Sequence, residues 1–389
     1  MSINGKAYIA GIYEHPTRLA TDKSLAQLHA EVAKGALEDA GLTKDDVDGY
    51  FCAGDAPGLG GIAMANYMGL KLRHTDTTES GGSAPVLHVG HAAEAIAAGK
   101  CSVALITLAG RPRAEGSRPA MMSNPDIPED AFDHPYRCGL AHAYGMVARR
   151  HMHEYGTTSE QLAWIKVAAS HHAQYNPHAM LPKVVTVEDV LNSPMVADPL
   201  HRLDCCVISD GGGAIIVVHP DIAKKLQRGN RPLIKVRGAS EAVKILNGGM
   251  FDLNSSAGVH SGAAAFAEAG VKAADIKYAS LYDSFTITVL MQLEDLGFCK
   301  KGEGGKFVAD GGLISGIGKL PFNTDGGGLC SNHPGNRGGM TKVLEAVRQA
   351  RGEAHPKVQV PNCDLVVAHG TGGSLGQLHQ AATVILERV

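Results

Sequence analysis

The sequence predicts an α/β protein made of two similar halves, each rich in βαβ units, and three observations lead there. The first is an internal echo: Ala36, Ala40, Gly41 and Asp46 recur in the same order as Ala265, Ala269, Gly270 and Asp275, with apolar matches between them. The second pairs a glycine-led helix over residues 83–99 and its strand over 102–108 with a helix over 340–351 and its strand over 365–369. Two correspondences in register predict a duplicated design, with halves at 1–225 and 230–389. The third is a set of glycine-flanked polar stretches at the ends of buried strands, where open α/β sheets gather reactive groups.

In chain order, residues 7–12 read as a strand. Residues 24–40 place Leu25, Leu28, Val32 and Leu37 at helical spacing and stop at Gly41. A second strand follows at 49–53. Residues 110–199 interrupt the pattern with prolines, histidines and the Met121-Met122 pair, and 159–175 reads as a helix within them. So long an excursion is expected to be an insertion over the first half that serves as a lid or binding loop. The glycine-led run 209–218 returns to the core as a buried strand. Residues 228–231 are the expected join, and 293–307 reads as a helix end followed by a glycine-rich surface loop.

Composition narrows the class. With 389 residues, 44% hydrophobic and 19% charged, the chain has material for a large core. A net charge of -3 without a basic run argues against nucleic acid as a partner, because displacing counterions needs clustered Lys and Arg. No window has the apolar length of a membrane span. Eight cysteines show no CxxC pair, and no signal peptide precedes the first strand, so reduced thiols and a cytoplasmic setting are expected. His88 and His91 lie one helical turn apart, but no carboxylate or thiol is spaced in sequence to complete a site; no metal is expected.

The stretch that most strongly suggests chemistry is 323–339, which holds six glycines and presents His333 beside Pro334, just ahead of a helix. Core packing rarely asks for so much glycine beside an imidazole. Its expected companions are Tyr282-Asp283-Ser284-Phe285 and His369-Gly370-Thr371-Gly372-Gly373. On the blander side, Asp283 is expected to orient its loop, Ser83 to cap the following helix, Ser284 to be a loop hydroxyl, and Cys205, Cys206 and Cys330 to be inert thiols.

These residues, together with the Asn323-led glycine loop, the His333-Pro334 pair and the terminal glycine turn, resemble the thiolase superfamily over nearly the whole chain. The resemblance is nearest to its sterol-carrier-protein or lipid-transfer-protein branch, which includes bacterial side-chain-cleaving aldolases that pair with a small zinc-ribbon/OB-fold (DUF35) protein. It implies a five-layer αβαβα fold, a homodimer, an acyl-CoA substrate with no cofactor beyond its coenzyme A, and a DUF35-type partner forming a heterotetramer. One departure matters most. Thiolases carry a nucleophilic cysteine at the start of the first buried helix, and residues 77–84 contain none; counting back from Gly99 places that position at Gly82. His333 matches the family's catalytic histidine, Tyr282 stands in the branch's His-Asp-Cys-Phe motif, and His369 falls where other thiolases have a second acid/base cysteine.

Without a thiolate the acyl-transfer intermediate is lost, but stabilisation of a thioester enolate survives. The resemblance therefore implies retro-aldol cleavage of a branched or ring-bearing β-hydroxyacyl-CoA. His333 and the backbone N–H groups at Gly82, Ser83 and Gly372 are expected to hold the oxyanion, each donor worth roughly 3–4 kcal/mol. Tyr282 or His369 is expected to be the base, with Asp283 and Asn323 in support. Two rivals remain: an acyltransferase using another nucleophile such as Ser83 or Cys330, and a non-catalytic acyl-CoA-binding scaffold.

Overall fold

The computed structural model describes residues 2–54, 56–116, 139–226, 231–244, 252–375 and 377–389. The Met121-Met122 part of the insertion and most of the join at 228–231 lie outside these residues. Among the described residues eleven strands form: β1 (Tyr8–Glu14), β2 (Gly49–Phe51), β3 (His74–Asp76), β4 (Val103–Gly110), β5 (Met195–Ala197), β6 (Leu200–His201), β7 (Gly211–Val218), β8 (Ile234–Lys244), β9 (Tyr278–Leu281), β10 (Leu365–Ser374) and β11 (Gln377–Arg388).

Nine of them make one sheet in the order β3-β2-β4-β7-β1-β8-β11-β10-β9. Outward from the β1–β8 junction, where Tyr8 faces Lys235, the two arms repeat each other. β1, β7 and β4 are antiparallel neighbours followed by parallel β2 and β3; β8, β11 and β10 are antiparallel neighbours followed by parallel β9. Where the first arm has β3, the second has only a parallel bridge from Ala279 to Phe322.

The helix Leu25–Ala40 covers the outer face of the first arm, and Gly258–Ala269 that of the second. The helices Ala84–Ala97 and Gly338–Arg351 lie between the arms, each packed on strands of both. The result is five layers, αβαβα. Burial on every side is why the central pair shows no solvent-facing polar stripe, and strands covered on both faces, such as β7, read as unbroken apolar runs.

The first echo is a packing device. Gly11 in β1 lies so close to the helix Leu25–Ala40 that a Cβ there would stand 2.2 Å from the Ala36 carbonyl; in β8, Gly238 has the same relation to Ala265 at 2.6 Å. Both helices stop at a left-handed glycine, Gly41 (φ 70°) and Gly270 (φ 65°). Each is followed by a turn in which an aspartate, Asp46 or Asp275, accepts the N–H of the residue three before it at 2.8 Å. Small residues on strand and helix bring backbone against backbone, which is why alanine and glycine recur rather than larger apolar side chains.

Two segments differ from expectation. The insertion's helices Leu140–Tyr155 and Ser159–Ala173 pack on the second half rather than over the first, sharing one apolar cluster with Leu281, Ile287, Leu290 and Leu329. The glycine-rich stretch after residue 293 is docked rather than left on the surface: buried Glu294 accepts the N–H groups of Gly302 and Gly304 at 3.0 and 2.9 Å, and Gly304 and Gly305 are buried.

Gly11→Ala and Gly238→Ala are each expected to destabilise the fold by about 1–3 kcal/mol, since the added methyl meets backbone that cannot rotate away. Urea unfolding measures this, and an unshifted midpoint for both would show that the helices stand off freely.

Candidate active site

Tyr282 follows the last residue of β9 and is fixed from both sides. Asn323, at φ 39°, accepts the Leu281 N–H on Oδ1 at 2.9 Å and donates from Nδ2 to the Leu281 carbonyl at 2.8 Å, acting as a stub of strand on the open edge of β9. The Tyr282 N–H donates to the His369 carbonyl at 3.0 Å, and its own carbonyl accepts from Gln292 Nε2 at 2.7 Å. So held, the ring crosses to the start of the central helix Ala84–Ala97. A Cβ on Gly82 would lie 2.4 Å from the Tyr282 phenolic oxygen and 2.4 Å from the Thr371 carbonyl. The phenol thus fills the space that a side chain at position 82 would occupy.

His333 is delivered by the glycine loop, and Asp283 organises that loop. Its Oδ1 accepts the Gly328 N–H at 2.8 Å and Lys342 Nζ at 2.7 Å, while Oδ2 accepts the Leu329 N–H at 3.1 Å. Gly326 and Gly327 take φ of 93° and 60°, a backbone other residues rarely adopt. The His333 N–H donates to Ser209 Oγ at 2.8 Å, and that hydroxyl donates to Asn332 Oδ1 at 2.8 Å. The imidazole is sandwiched by glycines: a Cβ at 338 would stand 2.6 Å from its Cδ2, and one at 328 would stand 2.8 Å away. It meets the Tyr282 ring edge-on, with centroids 5.3 Å apart and planes at 67°. His333 Nε2 is buried and has no hydrogen-bond partner.

Burial sets the protonation states. It lowers His333 to about 4, with Asp283 opposing and Lys342 reinforcing, so the imidazole is neutral. It pushes the Tyr282 hydroxyl well above its usual value, further than nearby Arg337 pulls it down. Tyr282 is therefore a neutral phenol with its proton in place. For Asp283, burial alone would raise the carboxyl, but Lys342 and the two loop amides hold it below the usual range.

The remaining expected residues fall as follows. His369 is turned away from this site. On β10, Val366 and Ala368 face the central helices, while Leu365 and Val367 face the outer layer. His369 follows the odd positions, bonds Thr383 Oγ1 through Nδ1 at 2.8 Å, and lies against Gly258 at the start of an outer helix. Strand alternation, invisible in a glycine-rich end, decides this. Ser83 stands at the N-cap position as expected but makes no capping hydrogen bond: its backbone is already helical, and its hydroxyl donates back to the Ser80 carbonyl at 2.8 Å. Gly372 abuts the same turn, where a Cβ would stand 1.7 Å from the Ser80 carbonyl, so close approach accounts for that glycine. Ser284 shares a hydrogen bond with Thr288 Oγ1 at 3.1 Å.

Sequence reasoning missed Lys342. An ammonium inside the buried run Met340 to Leu344 was the available signal. Tyr144, stacked on Phe285 with centroids 4.4 Å apart, and Ser209 come from the insertion and its return strand, where nothing local marked them.

The same architecture recurs among known proteins. Residues 240–388 match the family model described as Thiolase C-terminal domain-like. The chain is 32% identical to an acetyl-CoA acetyltransferase of Methanothermobacter thermautotrophicus, over 91% of this chain and 93% of that one. It is 35% identical to the 17-hydroxy-3-oxo-4-pregnene-20-carboxyl-CoA lyase of Mycobacterium tuberculosis, over 95% and 97%. The solved Ltp2-ChsH2(DUF35) aldolase superposes with a TM-score of 0.88 at 34% identity, covering 99% of this chain and 98% of that one. The chain belongs to the thiolase superfamily.

In this thiolase-superfamily chain the thiols beside the Tyr282–Asp283 strand end, Cys206 and Cys330, are not poised to act as nucleophiles. Burial pushes Cys206 up to about 12 and raises Cys330 above its usual value. The aliphatic hydroxyl next to Gly82 in the chain, that of Ser83, is spent on Ser80. What the site does offer is a neutral phenol and a neutral imidazole, in contact, at the amide-rich start of a buried helix.

Two predictions follow from the electrostatics. Lys342→Met leaves the Asp283 carboxylate buried without its cation and is expected to cost about 3–5 kcal/mol, partly recovered by adding Asp283→Asn; a double-mutant cycle in urea measures both. Burial also holds His29, His172 and His369 at about 3 and His88, His333 and His379 at about 4. The unfolded chain takes up protons first, near pH 6.5, so this stability is complete above that value and lost as pH falls from 6.5 towards 4. At pH 5.5 each such histidine is expected to cost roughly 1 kcal/mol by linkage, read as a fall in Tm between pH 7.5 and 5.5 that a flat profile would contradict.

Proposed function

We propose that this protein is a carbon–carbon lyase that cleaves a β-hydroxyacyl-CoA by a retro-aldol reaction, without a covalent acyl-enzyme. The observation that carries the proposal is the Tyr282 phenol standing where a nucleophile at position 82 would have to be. Thiolytic transfer needs a thiolate to receive the acyl group; retro-aldol cleavage needs only a base and a home for negative charge.

In this mechanism His333 Nε2 takes the β-hydroxyl proton. The C–O bond becomes a carbonyl, the Cα–Cβ bond breaks, and its electron pair passes to the thioester oxygen as an enolate. Tyr282, neutral and in a desolvated site, donates to that oxygen, assisted by the amides at residues 82 and 83. Reprotonation at Cα by Tyr282 and return of the His333 proton to the phenolate close the cycle, leaving a carbonyl compound and a shortened acyl-CoA. No cofactor other than the substrate's coenzyme A takes part. His369, on the other sheet face, is excluded from the proton transfers.

The named activity of the Mycobacterium tuberculosis relative supports this choice of reaction. The presence of a DUF35 protein in the solved aldolase supports a small partner of that kind, here in a heterotetramer built on a homodimer of this chain. Among the described residues no helix is long and apolar enough to cross a membrane. A cytoplasmic site of action is part of the proposal.

Incubation with β-hydroxyacyl-CoAs, with and without a co-encoded DUF35 protein, tests the proposal. The expected products are a free carbonyl compound and shortened acyl-CoA, formed without added coenzyme A. Tyr282→Phe and His333→Ala are each expected to lower kcat by about 10²–10⁴-fold. Turnover that requires free coenzyme A, with an acyl group trapped on Ser83 or Cys330, would instead identify an acyltransferase; activity unaltered by both substitutions would identify a scaffold.

A further inference from the structure

Away from the catalytic cleft, the fold brings a carboxylate to the two histidines that lack a partner in sequence. β3 ends at Asp76, beside the face of the helix Ala84–Ala97 that carries His88 and His91. Asp76, His88 and His91 each bring one ligand atom to a common point, all within 4.8 Å of one another. His91 Nδ1 lies 2.6 Å and His88 Nδ1 3.9 Å from the same oxygen, Asp76 Oδ2.

The hydrogen bonds around this trio specify which atoms are free. Asp76 Oδ1 is committed to Thr78, accepting its N–H at 2.9 Å and its hydroxyl at 2.6 Å, so Oδ2 is left for the histidines. His88 Nε2 lies 3.1 Å from the Thr78 carbonyl, which only accepts, so that nitrogen carries the ring proton. Nδ1 of the neutral, fully buried His88 ring then presents a lone pair towards a carboxylate oxygen, and it has no hydrogen-bond partner. Asp76 Oδ2 accepts from His91 Nδ1 at 2.6 Å but has no proton to share with His88 Nδ1, so a cation that displaced the His91 proton would satisfy all three atoms and give the buried His88 lone pair its missing partner. On the far side of His91, Nε2 points to Glu241 Oε2 at 3.6 Å. Each histidine therefore turns Nδ1 inward, His88 with a bare lone pair and His91 with a proton that a metal would displace, and each has an oxygen behind Nε2, the outer-shell arrangement typical of metal-ligating imidazoles.

We propose that Asp76, His88 and His91 form a binding site for a divalent transition metal, best matched to Zn²⁺, with Asp76 Oδ2 and the two Nδ1 atoms as ligands and Glu241 and the Thr78 carbonyl behind them. Two imidazoles and one carboxylate are a common zinc donor set, and bonds of about 2.0–2.1 Å at tetrahedral angles place ligand atoms roughly 3.3 Å apart. The two separations to Asp76 Oδ2, 2.6 and 3.9 Å, bracket that value, and all three ligand atoms lie within 4.8 Å of one another, so side-chain rotation completes the geometry. The fourth position remains for water. The site is structural in its placement: His88 and Asp76 both grip Thr78, and residues 78–83 run from there to the Gly82 turn beneath Tyr282. A bound ion would anchor the turn that underlies the catalytic phenol.

The test uses the full-length protein dialysed against chelator and titrated with Co²⁺ and Zn²⁺. One ion per chain, tetrahedral ligand-field bands with Co²⁺ that Zn²⁺ abolishes, and a metal-dependent rise in Tm are expected. His91→Ala, at a partly exposed position that the fold tolerates, and Asp76→Asn are each expected to weaken binding tenfold or more and to remove the Tm rise. Glu241→Gln, which touches no metal, is expected to weaken binding by about tenfold through its effect on His91. No binding by the wild-type chain, or binding that His91→Ala and Asp76→Asn leave unchanged, overturns the assignment.

Discussion

The structure turns on the contact between the Tyr282 phenol and the bare backbone of Gly82. A side chain at 82 and a tyrosine at 282 exclude each other, since a Cβ there would lie 2.4 Å from the phenolic oxygen. The start of the buried helix Ala84–Ala97 thus receives a hydroxyl from the second half rather than a thiol from the first. The phenol is fixed less by its own contacts than by the strand end that carries it: Asn323 grips Leu281, and Gln292 and His369 hold the Tyr282 backbone. Because its ring has only two soft torsions, fixing the backbone fixes the oxygen.

Asp283 extends that constraint to the second loop. Tyr282 and Asp283 are consecutive, so whatever positions one positions the other, and the Asp283 carboxylate collects two amides of the His333 loop together with Lys342 from the central helix. A buried carboxylate is costly unless its oxygens are satisfied. Here satisfying them forces the loop, the helix and the strand end into one geometry, and the glycines at 326, 327, 328 and 338 are the residues whose shape permits it. The neutral state of His333 follows from the same burial, which outweighs the nearby carboxylate.

Much of this was legible in the sequence where its cause is local. The echo of Ala36, Ala40, Gly41 and Asp46 marked the duplicated helix ends, and its structural reason, the pairing of Gly11 and Gly238 with those helices, is a backbone contact that small residues always advertise. The glycine loop marked His333 because only a ligand or a tight turn explains such composition. What stayed hidden depends on which face a residue takes or on distant partners. His369 was placed in the cleft by motif position, yet strand alternation sends its ring to the outer layer. Asp76 lies twelve residues before His88 and joins it only because β3 ends beside the helix. Ser83 stands at the cap position with the right chemistry, but its backbone is already helical and its hydroxyl is drawn back to Ser80.

The superfamily frame also shows why relatives with different reactions resemble this chain almost equally, an acetyl-CoA acetyltransferase at 32% identity and a lyase at 35%. Acyl transfer and retro-aldol cleavage both send negative charge to a thioester oxygen, so one cleft architecture can serve either. They part at the electrophile: one needs a sulfur to hold the acyl group, the other needs the substrate's own β-oxygen to lose a proton. That difference occupies a volume of a few atoms above position 82. A hydroxyl delivered from across the cleft fills it without disturbing either sheet arm, whereas a side chain there would require the Tyr282 ring to move or be replaced. Exchange between the chemistries therefore needs positions 82 and 282 to change together, and a single substitution at Gly82 does not make a thiolase.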